Sequence, residues 1–216
     1  MKHLIVGAGY FGNSLAVSLS KKGEEVIIID KDMGKISILK DIVTKAIQLD
    51  AADKEMLKKV IPSDLNQAVV CIGRSIESNL IVCMILKDLG VKRIVAKCHS
   101  PEHEKLLRMM GIDFIVDPEK QMAEHLADRL VDPDIIDYIP LESGFKIIKA
   151  HPPKVLLGKK LRELDVRNKH SINIIGIKKR TGDTYNFDMA PGGETMLSTD
   201  DIIIAAGREE DISKLF

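Results

Sequence analysis

The residues best suited to chemistry lie in the first thirty positions. Gly7, Gly9 and Gly12 follow directly on the apolar run Leu4, Ile5, Val6, and a second apolar run, Val26 to Ile29, ends on Asp30. Glycines at this spacing permit a tight turn at Gly7, close approach of backbone to a phosphate at Gly9 and close helix packing at Gly12. The amides and dipole of the helix that starts there face an anion. Asp30 stands eighteen residues beyond Gly12, at the tip of the second strand, where a carboxylate accepts both hydroxyls of a ribose and repels a 2'-phosphate. The chemistry predicted is therefore binding of an adenosine-containing nucleotide other than NADP.

Such a site needs a sheet to carry it, and the chain alternates strand and helix patterns in the required way. Beyond the first two strands the pattern predicts strands at Thr44 to Leu49, Ala68 to Ile72, Arg93 to Ala96 and Phe114 to Val116. Helices are predicted over Lys54 to Val60, Ser75 to Leu89 and Glu102 to Met110. Six strands with intervening helices make an α/β, Rossmann-type doubly wound parallel sheet. The helix from Ser75 carries an unbroken apolar run, Leu80 to Leu86, which predicts cover on both sides, either by a second subunit or within one subunit.

After Asp117-Pro118 a helix over Glu119 to Val131 carries the stripe Met122, Leu126, Leu130 and serves as a crossover before Asp132-Pro133-Asp134 interrupts the chain. Shorter strands follow at Phe145 to Ala150, Ile172 to Lys178, Thr184 to Phe187 and Ile202 to Ala206. One short helix, Lys159 to Leu164, lies between them and another at the terminus, with turns at Thr181-Gly182-Asp183 and Ala190-Pro191-Gly192-Gly193. The predicted organisation is a nucleotide-binding domain with its crossover helix over 1–134 and a small α+β domain over 135–216.

Composition limits the alternatives. The chain has 216 residues, 45% hydrophobic and 30% charged, with thirty-two basic residues against thirty-two acidic ones. With aromatics at only 4% and no basic stripe, nucleic acid is not an expected partner. The longest apolar run falls far short of the roughly 20 residues of a membrane span. Met1-Lys2-His3 enters the first strand at once, which predicts no signal peptide. Cys71, Cys83 and Cys98 lack metal spacing and read as reduced core residues of a cytosolic protein. His151 and His170 have no partnered acid at a suggestive spacing and read as surface residues, and there is no serine elbow or P-loop. Among function classes, a nucleotide sensor therefore ranks above an NAD-dependent oxidoreductase. A transcriptional sensor is disfavoured because no helix-turn-helix accompanies the sheet.

The segments Gly7-Ala8-Gly9-Tyr10-Phe11-Gly12, Ile29-Asp30-Lys31-Asp32, Leu49-Asp50-Ala51-Ala52-Asp53, Ile72-Gly73-Arg74, Val95-Ala96-Lys97 and Asp117-Pro118-Glu119-Lys120 occur in order. Together they resemble the regulatory subunits of bacterial Trk and Ktr potassium transporters, the RCK proteins. Gly158-Lys159-Lys160-Leu161, Leu164-Asp165-Val166-Arg167 and Ser198-Thr199-Asp200-Asp201 extend the resemblance to the family's C-terminal lobe.

The resemblance implies a binding module, not an enzyme: a homodimer that assembles into an octameric ring on the cytoplasmic face of a potassium-translocating membrane subunit. It implies ATP and ADP, or NAD and NADH, as ligands, with phosphates over Gly7 to Gly12, ribose on Asp30 beside Lys31, and adenine near Asp50, Ala51 and Ile72 to Arg74. Lys97 would lie near the phosphates, and Glu119 would help to hold a divalent cation at the terminal phosphate. Three of these residues have plain structural readings too: Asp50 as the cap of the next helix, Arg74 as a solvated charge, and Glu119 as an acid favoured at a helix start. Tyr10 stands where Ktr-type members carry arginine, which implies weaker discrimination of ATP from ADP. Asp165-x-Arg167 followed by Asn173-Ile174-Ile175 resembles a cyclic di-AMP signature, with Leu161-Arg162 only half matching the upstream aliphatic pair; a surface salt bridge before an edge strand is the alternative.

Overall fold

The computed structural model describes every residue except Arg74, Asp132, Pro133 and Asp183, and all described side chains except those of Asp128 and Thr181. The chain divides into two compact units, Met1–Gln121 and Met122–Phe216.

The first unit alternates β1 (Lys2–Val6), α1 (Tyr10–Lys21), β2 (Glu25–Asp30), α2 (Met33–Ser37), β3 (Lys45–Gln48), α3 (Lys54–Val60), β4 (Gln67–Val70), α4 (Ile76–Asp88), β5 (Ile94–Lys97), α5 (Pro101–Met109) and β6 (Phe114–Val116). The six strands pair in parallel in the order β3-β2-β1-β4-β5-β6. The strand order reverses at β1, between β2 and β4, and a crevice opens at the carboxyl ends of the strands at such a point. Register brings Val6 level with Ile29 on one side and Val70 on the other, so the residues that follow them meet at one edge.

The strands are continuous apolar runs because both sheet faces are covered. Leu4, Val6, Ile27 and Ile29 pack with Leu57, Val82, Leu86 and Leu107 of the helices on one face. Ile5, Val26 and Ile28 point the other way, to Ala16, Ile36 and Leu39. Within this chain α4 is covered chiefly on one side: Val82, Cys83, Ile85 and Leu86 are buried, whereas Met84 is half exposed. All three cysteines are free and buried, and burial pushes the thiols of Cys71 and Cys83 up to about 12, so they stay protonated.

The crossover helix α6 (Pro118–Val131) spans the boundary between the units, and Asp117 accepts the Lys120 amide at its start. The second unit then forms β7 (Ile135–Pro140), β8 (Phe145–Ala150), α7 (Leu161–Leu164), α8 (Val166–His170), β9 (Asn173–Thr181), β10 (Thr184–Asp188), β11 (Ile202–Arg208) and α9 (Glu209–Leu215). The strands make an antiparallel sheet in the order β10-β9-β11-β8-β7.

Three features differ from the sequence reading. Helix α2 was not expected between β2 and β3; it is a single short turn capped by Asp32. β7 was not expected: it is an edge strand with a register shift between Ile135 and Asp137 and a proline at its end, so its alternation is broken. The single helix expected over Lys159 to Leu164 is instead two short ones. Asp165 takes a left-handed conformation (φ 45°) that stops α7 and reopens the chain as α8.

Candidate functional site

The glycine turn is built by packing. Gly7 has φ +103°, and a Cβ there would lie 3.1 Å from the Cys71 carbonyl. At Gly12 a Cβ would fall 1.9 Å from the Gly7 oxygen, so only glycine lets α1 start this close to β1. A Cβ at Gly9 would meet nothing within 4 Å. Gly9 is thus the position where the backbone faces open space, and it caps α1 without a side chain, leaving the first-turn amides free for an anion. Tyr10 is 94% exposed. Phe11 is half-buried and lies under the Lys97 ammonium, 5.8 Å from its ring centroid.

Asp30 is fixed by this turn. Its Oδ2 accepts the Ala8 amide at 2.7 Å and its Oδ1 the Asp32 amide at 2.9 Å, and Lys35 lies 3.6 Å away. Each carboxylate oxygen retains a lone pair, so the group is held ready to accept ribose hydroxyls. Lys31 is exposed beside it.

Asp50 does not cap α3: its Oδ1 accepts the Ala52 amide at 3.0 Å, while Asp53 accepts Met56 and supplies the cap. The reason is spacing, since Asp53 directly precedes the helix whereas Asp50 closes a local turn. Ala51 is buried next to it. Ile72 is half-buried and Gly73 exposed; Arg74 lies outside the described residues.

Lys97, at the end of β5, is 7% exposed, and its ammonium pairs with Glu119 in the first turn of α6. The anion that the buried cation requires is thus present in the chain itself. The Lys97 ammonium holds the Glu119 carboxyl below its ordinary value. Among the described residues no three His, Cys, Asp or Glu side chains form a metal cluster, so a cation at Glu119 would need oxygens from a bound ligand as well.

Three residues not singled out from the sequence complete this edge. Asn79 of α4 is fully buried, and its amide donates to the carbonyls of Ile72 (3.2 Å) and Lys97 (3.1 Å), clamping the ends of β4 and β5 together. Its signal was a lone amide immediately before the apolar run of α4. His99 Nε2 donates to the same Ile72 carbonyl at 3.0 Å and stacks on His103. His103 is fully buried with neither ring nitrogen partnered, and burial together with His99 lowers its pKa. His99 and His103 carried no motif that would have drawn them out. In the second unit, His151 is exposed and His170 half-buried.

Comparison with known proteins fits this geometry. A TrkA-N domain matches residues 3–118 and a TrkA-C domain residues 146–216. The Ktr system potassium uptake protein C of Bacillus subtilis is 32% identical over 210 residues, covering 97% of this chain and 93% of that protein. Among solved structures, the GsuK channel superposes with a TM-score of 0.68 at 19% identity over 98% of this chain, which spans 38% of that channel chain. The GsuK channel bound to NAD gives 0.57 at 22% identity, over 99% of this chain and 37% of that one. With both domains in order on one chain and a relative of this identity along nearly its full length, the protein belongs to the TrkA-N/TrkA-C family of Trk- and Ktr-type proteins.

Proposed function

We propose that the protein is a cytoplasmic, nucleotide-binding regulatory subunit that gates a membrane potassium transporter or channel. The observation that carries this reading is the convergence of the open Gly9 turn, the prepositioned Asp30 carboxylate and the buried Lys97 ammonium at one sheet edge, in a chain related to a potassium uptake protein. Among the described residues no helix is long and apolar enough to cross a membrane, so a membrane role would run through a partner.

In this reading Gly7 to Gly12, with Ala8, Tyr10 and Phe11, surround the phosphates of an adenine nucleotide. Asp30 and Lys31 take the ribose, and Asp50, Ala51, Ile72, Gly73 and Arg74 border the adenine. ATP, ADP and NAD are the ligand candidates, the last supported by the NAD-bound neighbour. Lys97 faces two anions, its own Glu119 and the ligand's phosphates. Were phosphate to take over the ammonium, the Glu119 carboxylate would be free to help hold a divalent cation, which would neutralise phosphate charge. Because Tyr10 offers a hydroxyl and no permanent charge, discrimination of ATP from ADP rests more on Glu119. Cyclic di-AMP at Asp165, Arg167 and Asn173 to Ile175 is a second ligand candidate. The homodimer contact is put on the α6 stripe, whose Met122, Leu126 and Leu130 are 63%, 52% and 72% exposed, and the octameric ring is taken from the family resemblance.

A ligand drives gating only through unequal affinity for two ring shapes. The test is potassium flux in vesicles reconstituted with the membrane partner. Flux should respond to adenine nucleotide, and Glu119→Gln should blunt the response while leaving adenine binding nearly intact. Flux indifferent to every adenine nucleotide, with substrate oxidation or reduction by NAD in the purified chain, would replace this reading with an oxidoreductase.

A further inference from the structure

The second unit holds a concavity of about 380 Å³, within the range of small-molecule sites of roughly 300 to 1,000 Å³. Its floor is apolar: Leu156, Leu164 and Leu215 are 2%, 6% and 8% exposed. Its rim carries Lys159, Lys169 and Lys214, from the loop before α7, from α8 and from α9, together with His170.

These ammoniums are poorly compensated. Among the described residues Lys159 reaches the Val155 carbonyl at 3.5 Å and Lys169 the Glu163 carbonyl at 3.4 Å, neither meeting a carboxylate, while Lys214 pairs with the Asp211 carboxylate at 3.6 Å. The acid in the lining, Glu163, turns its carboxylate to the Lys160 amide at 3.3 Å to close the start of α7. Outside the concavity the adjacent cations are treated differently. Lys160 pairs with Glu194 at 2.8 Å and Arg162 pairs with the same carboxylate. In a chain of zero net charge, two ammoniums held only by carbonyls and a third in a longer ion pair, around one apolar-floored hollow beside more closely paired cations, mark a place for an anion.

We infer that this concavity binds a phosphate-bearing ligand, with the phosphate between the three ammoniums and an apolar portion on the leucine floor. Lysines from three separate elements act as point charges around a compact multivalent anion, a role for which one carboxylate would be too weak a partner. The site is distinct from the nucleotide edge of the first unit and uses none of Asp165, Arg167 and Asn173 to Ile175. Its ligand has two sources, a soluble phosphorylated metabolite or the headgroup of an anionic phospholipid.

The test titrates pyrophosphate calorimetrically into the full chain in saturating ADP. In parallel, the chain is floated with phosphatidylglycerol or phosphatidylcholine vesicles. The variant is Lys159→Ala/Lys169→Ala/Lys214→Ala, all three exposed positions. The control, Lys21→Ala/Lys22→Ala/Lys40→Ala, removes the same charge from exposed positions in the first unit. With each charge-assisted contact worth about tenfold, the three losses multiply, and the variant should bind up to about a thousandfold more weakly than wild type and control. Loss of pyrophosphate binding without flotation identifies the soluble source. Flotation on phosphatidylglycerol alone, lost in the variant, identifies the lipid. If neither probe binds wild type, or the variant and control bind each probe equally, the inference is overturned.

Discussion

The two sheets place their chemistry in opposite ways. In the parallel sheet every strand ends at the same edge, so Gly7, Asp30, Ile72 and Lys97, scattered over ninety residues, meet where the strand order reverses. Buried polar side chains then fasten the strand ends to one another, as Asn79 does for β4 and β5. In the antiparallel sheet the strand ends alternate, and charged groups gather instead around the short helices at its border, as at Lys159, Lys169 and Lys214. The same change should therefore have different consequences in the two regions: at the parallel edge the fold and the candidate site share atoms, and around the short helices of the second unit the charged groups lie apart from the core.

Glycine replacement separates the regions most sharply. Gly12→Ala places a methyl 1.9 Å from a backbone oxygen that has no freedom to move, and should cost about 2–3 kcal/mol and abolish nucleotide binding. Gly207→Ala in β11 brings a methyl 3.1 Å from a carbon of the buried Ile172 side chain, a much smaller overlap, and should cost less, about 1 kcal/mol. Urea unfolding of the two variants checks this, and equal losses would erase the contrast. Next is Asn79→Ala, which strips donors from two carbonyls at the sheet edge and should cost about 2 kcal/mol by the same measurement.

A smaller effect is expected at the Lys97–Glu119 pair. The Glu119 carboxyl lies below its ordinary 4.5 in the folded chain, so its stabilisation is present above that value and is lost as pH falls through the lowered one. With Glu119 largely exposed, the pair should contribute only about 0.5–1 kcal/mol. Glu119→Gln should therefore show a shallower fall in urea stability below pH 4.5 than wild type; superimposable pH profiles would remove the pair from the account. The smallest change in stability, within about 0.5 kcal/mol, belongs to exposed Leu126→Asp. Light scattering should nevertheless report a lower mass for it, and an unchanged mass would move the dimer contact away from α6.

The parallel sheet was legible because its signals are local: apolar runs buried on both faces, and glycines whose spacing is set by one turn. Asp30 could be read from position alone, since it ends an apolar strand. Asn79 and His99 could not, because each acts on the carbonyl of Ile72, a contact that exists only after β4 and β5 are paired. Likewise the resemblance could put Lys97 near phosphates, but its pairing with Glu119 joins residues twenty-two positions apart. β7 was hidden because an edge strand with a register shift does not alternate cleanly. Asp165 was hidden because a left-handed aspartate has no sequence mark that separates it from a helical one.

Calorimetric titration of ADP into the wild-type chain and Asp30→Ala tests the central claim most directly. Wild type should bind, and the variant should bind more than about tenfold more weakly, because charge-assisted hydrogen bonds to the ribose are lost. Absence of ADP binding by wild type, or equal affinity in the two proteins, would contradict the assignment of the strand ends to an adenine nucleotide.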